Sequence, residues 1–339
     1  MPRRSAAARV TPTRRQQQRL NDTKAYLLKA FASIVGLGSV REQVLYQIRR
    51  LNTPVINKIP ANMHAVLMGN PGVGKTSVAK IWATTLFLMG QTAVRYNHEK
   101  HYVKAASLYG SVIGESGKAM RARIKGARGG VLVIDEAHEL AKRDDGATYS
   151  FGDEVFQQIF MEMAGGDADR QPVADRVIFI FAGYKDPGPN GGPTMADLFR
   201  MNQGLERRID VNMRLVLRDY DDKELVNIFI AKTQASGFHF EPTPRERAAL
   251  GTRLAGQRIS AYLSRTNGGF VDQWLAELER VVVDAYEGND DITEVNYFGV
   301  GVRFVNDGVT ITNADVVASL KALGERIRRL EKGAPKPCA

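Results

Sequence analysis

Three short stretches of the chain are apolar at nearly every position: HAVLMG at 64–69, GGVLVID at 129–135 and RVIFIFAG at 176–183. Each has strand length and is rich in β-branched side chains. A run without polar alternation is what a strand buried on both faces of a parallel sheet requires. Between these runs the apolar spacing becomes helical, in TSVAKIWATTLFLM (76–89) and EVFQQIFMEMA (154–164). Strand and helix in alternation predict a doubly wound α/β layer. Ahead of it, NDTKAYLLKAFASIVGLGSVREQVLYQIRRL (21–51) reads as two helices separated by a turn at Ile34–Gly38. DPGPNGGP (186–193) is loop. From about Arg218 the pattern is mostly helical, in DDKELVNIFIAKTQ (221–234), ERAALGTRLAGQRISAYLSR (246–265), FVDQWLAELERVVVDAY (270–286) and a closing ITNADVVASLKALGERIRRL (311–330). Within that part FGVGVRFVNDGVTI (298–311) reads as a small hairpin turning at Asn306, Asp307 and Gly308. The expected organisation is a basic, disordered tail at 1–22, an α/β domain at 23–217, a helical domain at 218–330 and a flexible tail at 331–339.

Composition changes this picture little. The chain has 339 residues, 44% hydrophobic and 25% charged, ordinary for a globular protein with a core large enough for two domains. No apolar run reaches bilayer length, so no membrane partner is expected. Cys338 is the single cysteine, which excludes an intramolecular disulfide and a cysteine metal site and fits a reducing, cytoplasmic compartment. The net charge of +10 points to an anionic partner, with nucleic acid the first candidate. Part of the excess sits in residues 1–20, which hold six arginines and no acid. Three readings of that stretch stand open: an arm that touches nucleic acid, an organelle transit peptide, or a solvated tail.

The chemistry begins at GNPGVGKTS, which follows one predicted strand and opens a predicted helix. That context separates a phosphate-binding loop from a chance match. Gly69, Asn70, Pro71, Gly72, Val73 and Gly74 form a turn whose glycines let backbone N–H groups face one point. Lys75 then supplies charge to the β- and γ-phosphates, the Thr76 hydroxyl suits Mg²⁺, and Ser77 completes the segment. The second half of such a site is VLVIDEAHEL. Asp135 closes the strand and suits Mg²⁺ through water, and Glu136 is the carboxylate that polarises the attacking water. Residues 135–138 also spell D-E-A-H, but the other helicase motifs do not accompany it, and His138 reads as a structural residue.

GNPGVGKT, GGVLVIDEAHEL, VIFIFAGYKD and MNQGLERRI occur in the order of an AAA+ ATPase. The AGY after the last strand run and the NQGLERRI stretch resemble the branch containing red-type Rubisco activase (CbbX), sporulation protein K and the type VII secretion ATPases, over about residues 30–320. The resemblance implies an AAA+ P-loop fold, a doubly wound parallel sheet followed by a mostly helical lid, with ATP and Mg²⁺ as its ligands. It implies that Tyr184 takes the sensor-1 position and that Arg208 is the arginine finger completing a neighbouring subunit's site, with Arg207 the competing candidate. A finger in trans implies a homo-oligomeric ring, usually of six. Ile34, Val35 and Gly36 match the segment that packs near adenine. Two positions depart from the pattern. TNGGFVDQW places Gly269 where the sensor-2 arginine falls, with Arg265 near it in sequence, which implies weaker turnover or altered coupling. The segment resembling pore loop 1 reads Val112-Ile113-Gly114, with the aromatic three residues early at Tyr109, which argues against vigorous threading.

Three functions share this site. The first is an ATPase ring that remodels a protein partner. The second is a nucleic-acid-dependent loader or initiator, supported by charge alone. The third is an ATP-switched assembly protein with weak turnover.

Overall fold

The computed structural model describes residues 14–32, 34–52, 63–112, 114–142, 151–164, 172–187, 191–257, 259–287, 294–297, 300–305 and 308–333. They fall into two compact units. The first takes in the chain up to Leu217 apart from two short segments, Ser33–Gly36 and Asn70–Gly74, which group with the second unit, from Arg218 onward.

The first unit contains α1 (Arg14–Ala32), α2 (Gly38–Asn52), β1 (Ala65–Met68), α3 (Lys75–Leu88), α4 (His98–His101), β2 (Tyr102–Lys104), α5 (Glu115–Gly126), β3 (Val131–Asp135), α6 (Phe151–Ala164), β4 (Ile178–Gly183), α7 (Met195–Met201), α8 (Gln203–Arg208) and β5 (Arg214–Val216). Its sheet runs β2-β3-β4-β1-β5, every neighbour parallel. The three apolar runs are its three central strands. All six residues of β4 are buried, the two-sided burial that a continuous apolar run requires. Trp82 and Leu86 of α3 pack into the core with Leu67, Phe179 and Phe181. The edge strands β2 and β5 have only three residues each, too few for a periodic signal.

The basic tail expected over 1–22 is corrected from Arg14 onward: residues 14–22 belong to α1. The cause is a stripe at Thr23, Leu27 and Phe31, all buried, which fixes the helix against its unit. Side-chain bonds from Gln17 to Asn21 and from Gln18 to Asp22 then extend it toward the N-terminus. Residues 1–13 lie outside the described residues.

The second unit holds α9 (Asp222–Ala235), β6 (Phe238–His239), α10 (Pro244–Gly256), α11 (Ser260–Thr266), α12 (Gly268–Glu287), β7 (Glu294–Tyr297), β8 (Val300–Val305), β9 (Gly308–Thr310) and α13 (Asn313–Gly333). Its core centres on Trp274, stacked on Phe229 at 3.9 Å between ring centroids, with Leu250, Leu278 and Leu320 around them. Capping boxes at Asp221 and Thr243 start α9 and α10. The expected hairpin is part of a four-stranded sheet, β6-β9-β8-β7. β8 and β9 pair antiparallel, with Val305 opposite Gly308, and the turn residues Asn306 and Asp307 lie outside the described residues.

Candidate functional site

Parallel strands all end at one edge of their sheet, and in open α/β sheets that carboxyl edge is where ligands bind. In the first unit the register sets Met68 beside Gly183 and Lys104 beside Asp135. Gly69 then donates its N–H to the Gly183 carbonyl at 3.2 Å, so the loop leaves β1 beside the end of β4. Lys75 opens α3 and is buried. Its Nζ donates to the Gly69 carbonyl at 2.9 Å and lies 5.1 Å from the centroid of the Tyr184 ring. Burial lowers the Lys75 pKa to about 8, although Asp135 and Glu136 pull it upward. Thr76 is half-buried in the next position and Ser77 is exposed.

Asp135 closes β3. Its Oδ1 accepts the backbone N–H of Glu136 at 2.9 Å, and its Oδ2 accepts the hydroxyl of Tyr102 at 2.5 Å. Glu136 adopts a left-handed backbone, φ 55°, unusual for a residue with a side chain. Strain of this kind gathers at working sites. One carboxylate oxygen of Glu136 lies 3.6 Å from the Lys104 ammonium. His138 is buried, as its structural reading requires. Its ring lies 4.3 Å from the Tyr184 ring, and its Nδ1 accepts the Tyr184 N–H at 3.3 Å. Burial lowers its pKa, so it acts there as a neutral acceptor. Lys75, Asp135, Glu136 and Tyr184 therefore gather at one sheet edge, and burial raises the Tyr184 pKa so that its phenol stays protonated.

In the second unit the tip of the glycine loop is held by its carbonyls. Pro71 O accepts from Asn267 Nδ2 at 3.2 Å, Gly72 O from Gly268 N at 3.2 Å, and Val73 O from the Tyr220 hydroxyl at 3.0 Å. Asn70 donates to both carboxylate oxygens of Asp219, which also accepts from Asn267. Carbonyls turned to these donors leave the opposite side of the loop to its N–H groups. Gly72 and Gly74 sit at φ 76° and 90°, and a side chain at Gly72 would collide with the Thr266 carbonyl. Ile34, Val35 and Gly36 are half-buried in this unit, and a Cβ on Gly36 would press on Tyr220 and Glu224 at 2.9 Å. Gly269 lies in the first turn of α12 with open space where a Cβ would stand.

The remaining expected residues are placed apart from these groups. Arg208, at the end of α8, is half-buried. It donates to the Gly204 carbonyl at 3.0 Å and covers the Phe160 ring at 5.3 Å, whereas Arg207 is exposed. Tyr109 is half-buried, its hydroxyl donating to Glu139 O at 2.5 Å and its ring facing Phe151. Val112 is 58% exposed, Gly114 at φ 91° caps α5, and Ile113 lies outside the described residues. The buried Glu154 accepts from Gly114 N and Gly117 N and fastens this loop to α6.

Tyr102, Lys104, Asp219, Tyr220 and Asn267 were not legible as site residues. Each depends on a partner more than 30 residues away that only the fold supplies. The single local hint is Tyr102-Val103-Lys104, two polar-tipped side chains on one face of a strand whose middle residue is buried.

The model of the ATPase family associated with various cellular activities matches residues 65–192, the segment that carries the phosphate loop and the Asp135-Glu136 pair. The chain is similar, too, to curated relatives of the CbbX type. It is 32% identical over 199 residues to protein CfxQ of Xanthobacter flavus, covering 58% of this chain and 55% of the relative. It is 28% identical over 306 residues to the ESX-1 secretion system protein EccA1 of Mycolicibacterium smegmatis, covering 86% of this chain and 48% of the relative. It is also 28% identical over 219 residues to the chloroplastic ribulose bisphosphate carboxylase/oxygenase activase of Cyanidioschyzon merolae, covering 62% of this chain and 66% of the relative. The chain thus spans about half to two thirds of the length of these relatives. Among the described residues, no helix is long and apolar enough to cross a membrane.

Proposed function

We propose that the chain binds and hydrolyses ATP in a homo-oligomeric ring, usually of six subunits, and uses that turnover to remodel a protein partner. One observation carries the reading: Lys75, Asp135, Glu136 and Tyr184 meet at the carboxyl edge of the parallel sheet, beside the exit of a glycine loop from β1. The relatives support a protein partner, since one is named an activase of an enzyme and another a component of a secretion system.

The roles follow from chemistry. The loop N–H groups and Lys75 neutralise the β- and γ-phosphates, with Lys75 exchanging the Gly69 carbonyl for phosphate oxygens. Glu136 orients the attacking water and accepts its proton. Tyr184, already beside Lys75, reaches toward the γ-phosphate. Thr76 and Asp135 offer the hard oxygen donors that Mg²⁺ prefers, and the tightly bent glycines at 72 and 74 leave backbone room for phosphate. Bound there with ATP, Mg²⁺ would neutralise charge that develops on the β- and γ-oxygens. Arg208 serves a neighbouring subunit after leaving the face of Phe160, with the exposed Arg207 as its competitor. Ile34–Gly36 form the adenine side. The loop at 109–114 faces the partner with Val112 exposed and Tyr109 folded away, so grip is weaker than an aromatic would give.

A second reading, an ATP-switched assembly protein with slow turnover, is favoured by the Lys104–Glu136 ion pair and by Gly269 in place of the sensor-2 arginine. Three variants test the main reading. Lys75→Ala loses ATP binding. Glu136→Gln binds ATP, accumulates as ATP-bound oligomer and hydrolyses poorly. Arg208→Ala binds normally and fails to hydrolyse. An Arg208→Ala protein with parental turnover rejects the finger assignment.

A further inference from the structure

We propose that Tyr102 is a positioning residue for Asp135, fixing the carboxylate through which Mg²⁺ is held; the inference deepens the ATPase reading and rests on it. β2 and β3 pair in parallel with Tyr102 opposite Val133, so a side chain as long as tyrosine spans from there to the end of β3. The phenol donates to Asp135 Oδ2 at 2.5 Å, within the short range of bonds from a hydroxyl to a charged oxygen. With Oδ1 held by the Glu136 N–H, both oxygens of the carboxylate have a fixed donor. Each still keeps a lone pair, because a carboxylate offers about four acceptor directions. The rotamer is therefore set before any metal arrives, with acceptor capacity left for it.

The phenol is itself held in place. The His98 ring lies against the Tyr102 ring at 4.3 Å between centroids, and His98 Nδ1 is 3.1 Å from the Tyr96 hydroxyl. His98 stands in the first turn of α4, whose start is fixed by Asn97 accepting from Lys100 N. A chain of contacts thus runs from α4 through His98 and Tyr102 to Asp135. Partners behind a metal-holding side chain govern its affinity, typically by about 10- to 100-fold.

The experiment titrates Mg²⁺ into the full chain with a fluorescent N-methylanthraniloyl ATP, and repeats the binding in EDTA. Tyr102→Phe removes one oxygen and keeps the ring. Its Mg²⁺ midpoint rises about tenfold, while its affinity in EDTA stays within about twofold of the parent, which a packing role alone would not give. In an Asp135→Asn background the same change adds nothing, because the two side chains act as one unit. His98→Ala, which loosens the ring and leaves the hydroxyl, shifts the midpoint in the same direction and by less, and it carries the test if Tyr102→Phe does not fold. An unchanged midpoint, or a loss of equal size in EDTA, overturns the proposal. A parent that binds the nucleotide without any Mg²⁺ dependence overturns the ATPase reading, and this inference with it.

Discussion

At the scale of single residues, the surroundings of a few groups alter their ordinary chemistry, and Lys75 is the most open to test. Burial places its folded-state pKa at about 8, below the ordinary lysine value of about 10.5. Below about pH 8 the ammonium is charged in both folded and unfolded chains, and its burial costs stability. Between about 8 and 10.5 the folded chain has released a proton that the unfolded chain keeps, so this group's penalty shrinks as pH rises through that window. Nucleotide binding has the opposite slope, because phosphate needs the charged form. ATP affinity is expected to hold from pH 7 to 7.5 and to be about tenfold weaker at pH 9 than at its plateau; a flat profile in a fluorescent-nucleotide titration removes the buried lysine from the account. Glu136 is the other such residue, since the left-handed turn at φ 55° is what lifts its carboxylate off the strand beside Asp135.

Among elements the most informative is the break between α11 and α12, a single residue long. Asn267 sits there, buried, at φ 45° and ψ −118°, with its side chain bonded to Pro71 O, Asp219 and Tyr220 N. Replacement by alanine loses those bonds and keeps the backbone strain; replacement by glycine loses the bonds and relieves the strain. Asn267→Ala is therefore expected to be less stable than Asn267→Gly by about 1 kcal/mol. Trp274 lies in this unit and Trp82 in the other, so urea unfolding followed by fluorescence in a Trp82→Phe background reads the difference. An alanine variant as stable as the glycine variant shows that the angle carries no strain. The break itself was legible, since the helical pattern stops at Arg265 and resumes at Phe270, but TNGG gave no sign that a single residue makes it. The central strands were legible because burial on both faces leaves an unbroken apolar run, and the glycine loop was legible because its chemistry is local. β2 and β5 were not, since three residues cannot display a period. The start of α1 was missed because its first turns, Arg14–Arg19, hold only arginines and glutamines, and the buried stripe that holds the helix begins further along, at Thr23, Leu27 and Phe31.

For the whole molecule the question is whether one subunit's chemistry needs another's residue. Arg208 lies on its own α8 against Phe160, bonded to Gly204 O, while its proposed role is in a neighbour's site. Lys75→Ala keeps the finger and loses the nucleotide; Arg208→Ala keeps the nucleotide and loses the finger. Each alone is expected to fall about a thousandfold in turnover. Mixed, they are expected to recover part of the parental rate, because some interfaces then join an intact site to an intact finger; no recovery argues for a site complete within one chain. The net charge of +10 remains the strongest argument for nucleic acid, and it is electrostatic, so DNA stimulation that vanishes with salt would mark that route. The whole proposed chemistry depends on Glu136 activating water for ATP cleavage at this sheet edge, and the decisive experiment is steady-state ATP turnover of the parent against Glu136→Gln, with Mg²⁺ and with and without DNA. Parental turnover is expected to be indifferent to DNA and to fall at least about a hundredfold in Glu136→Gln while ATP binding persists; equal turnover in the two proteins rules out Glu136 as the residue that activates water.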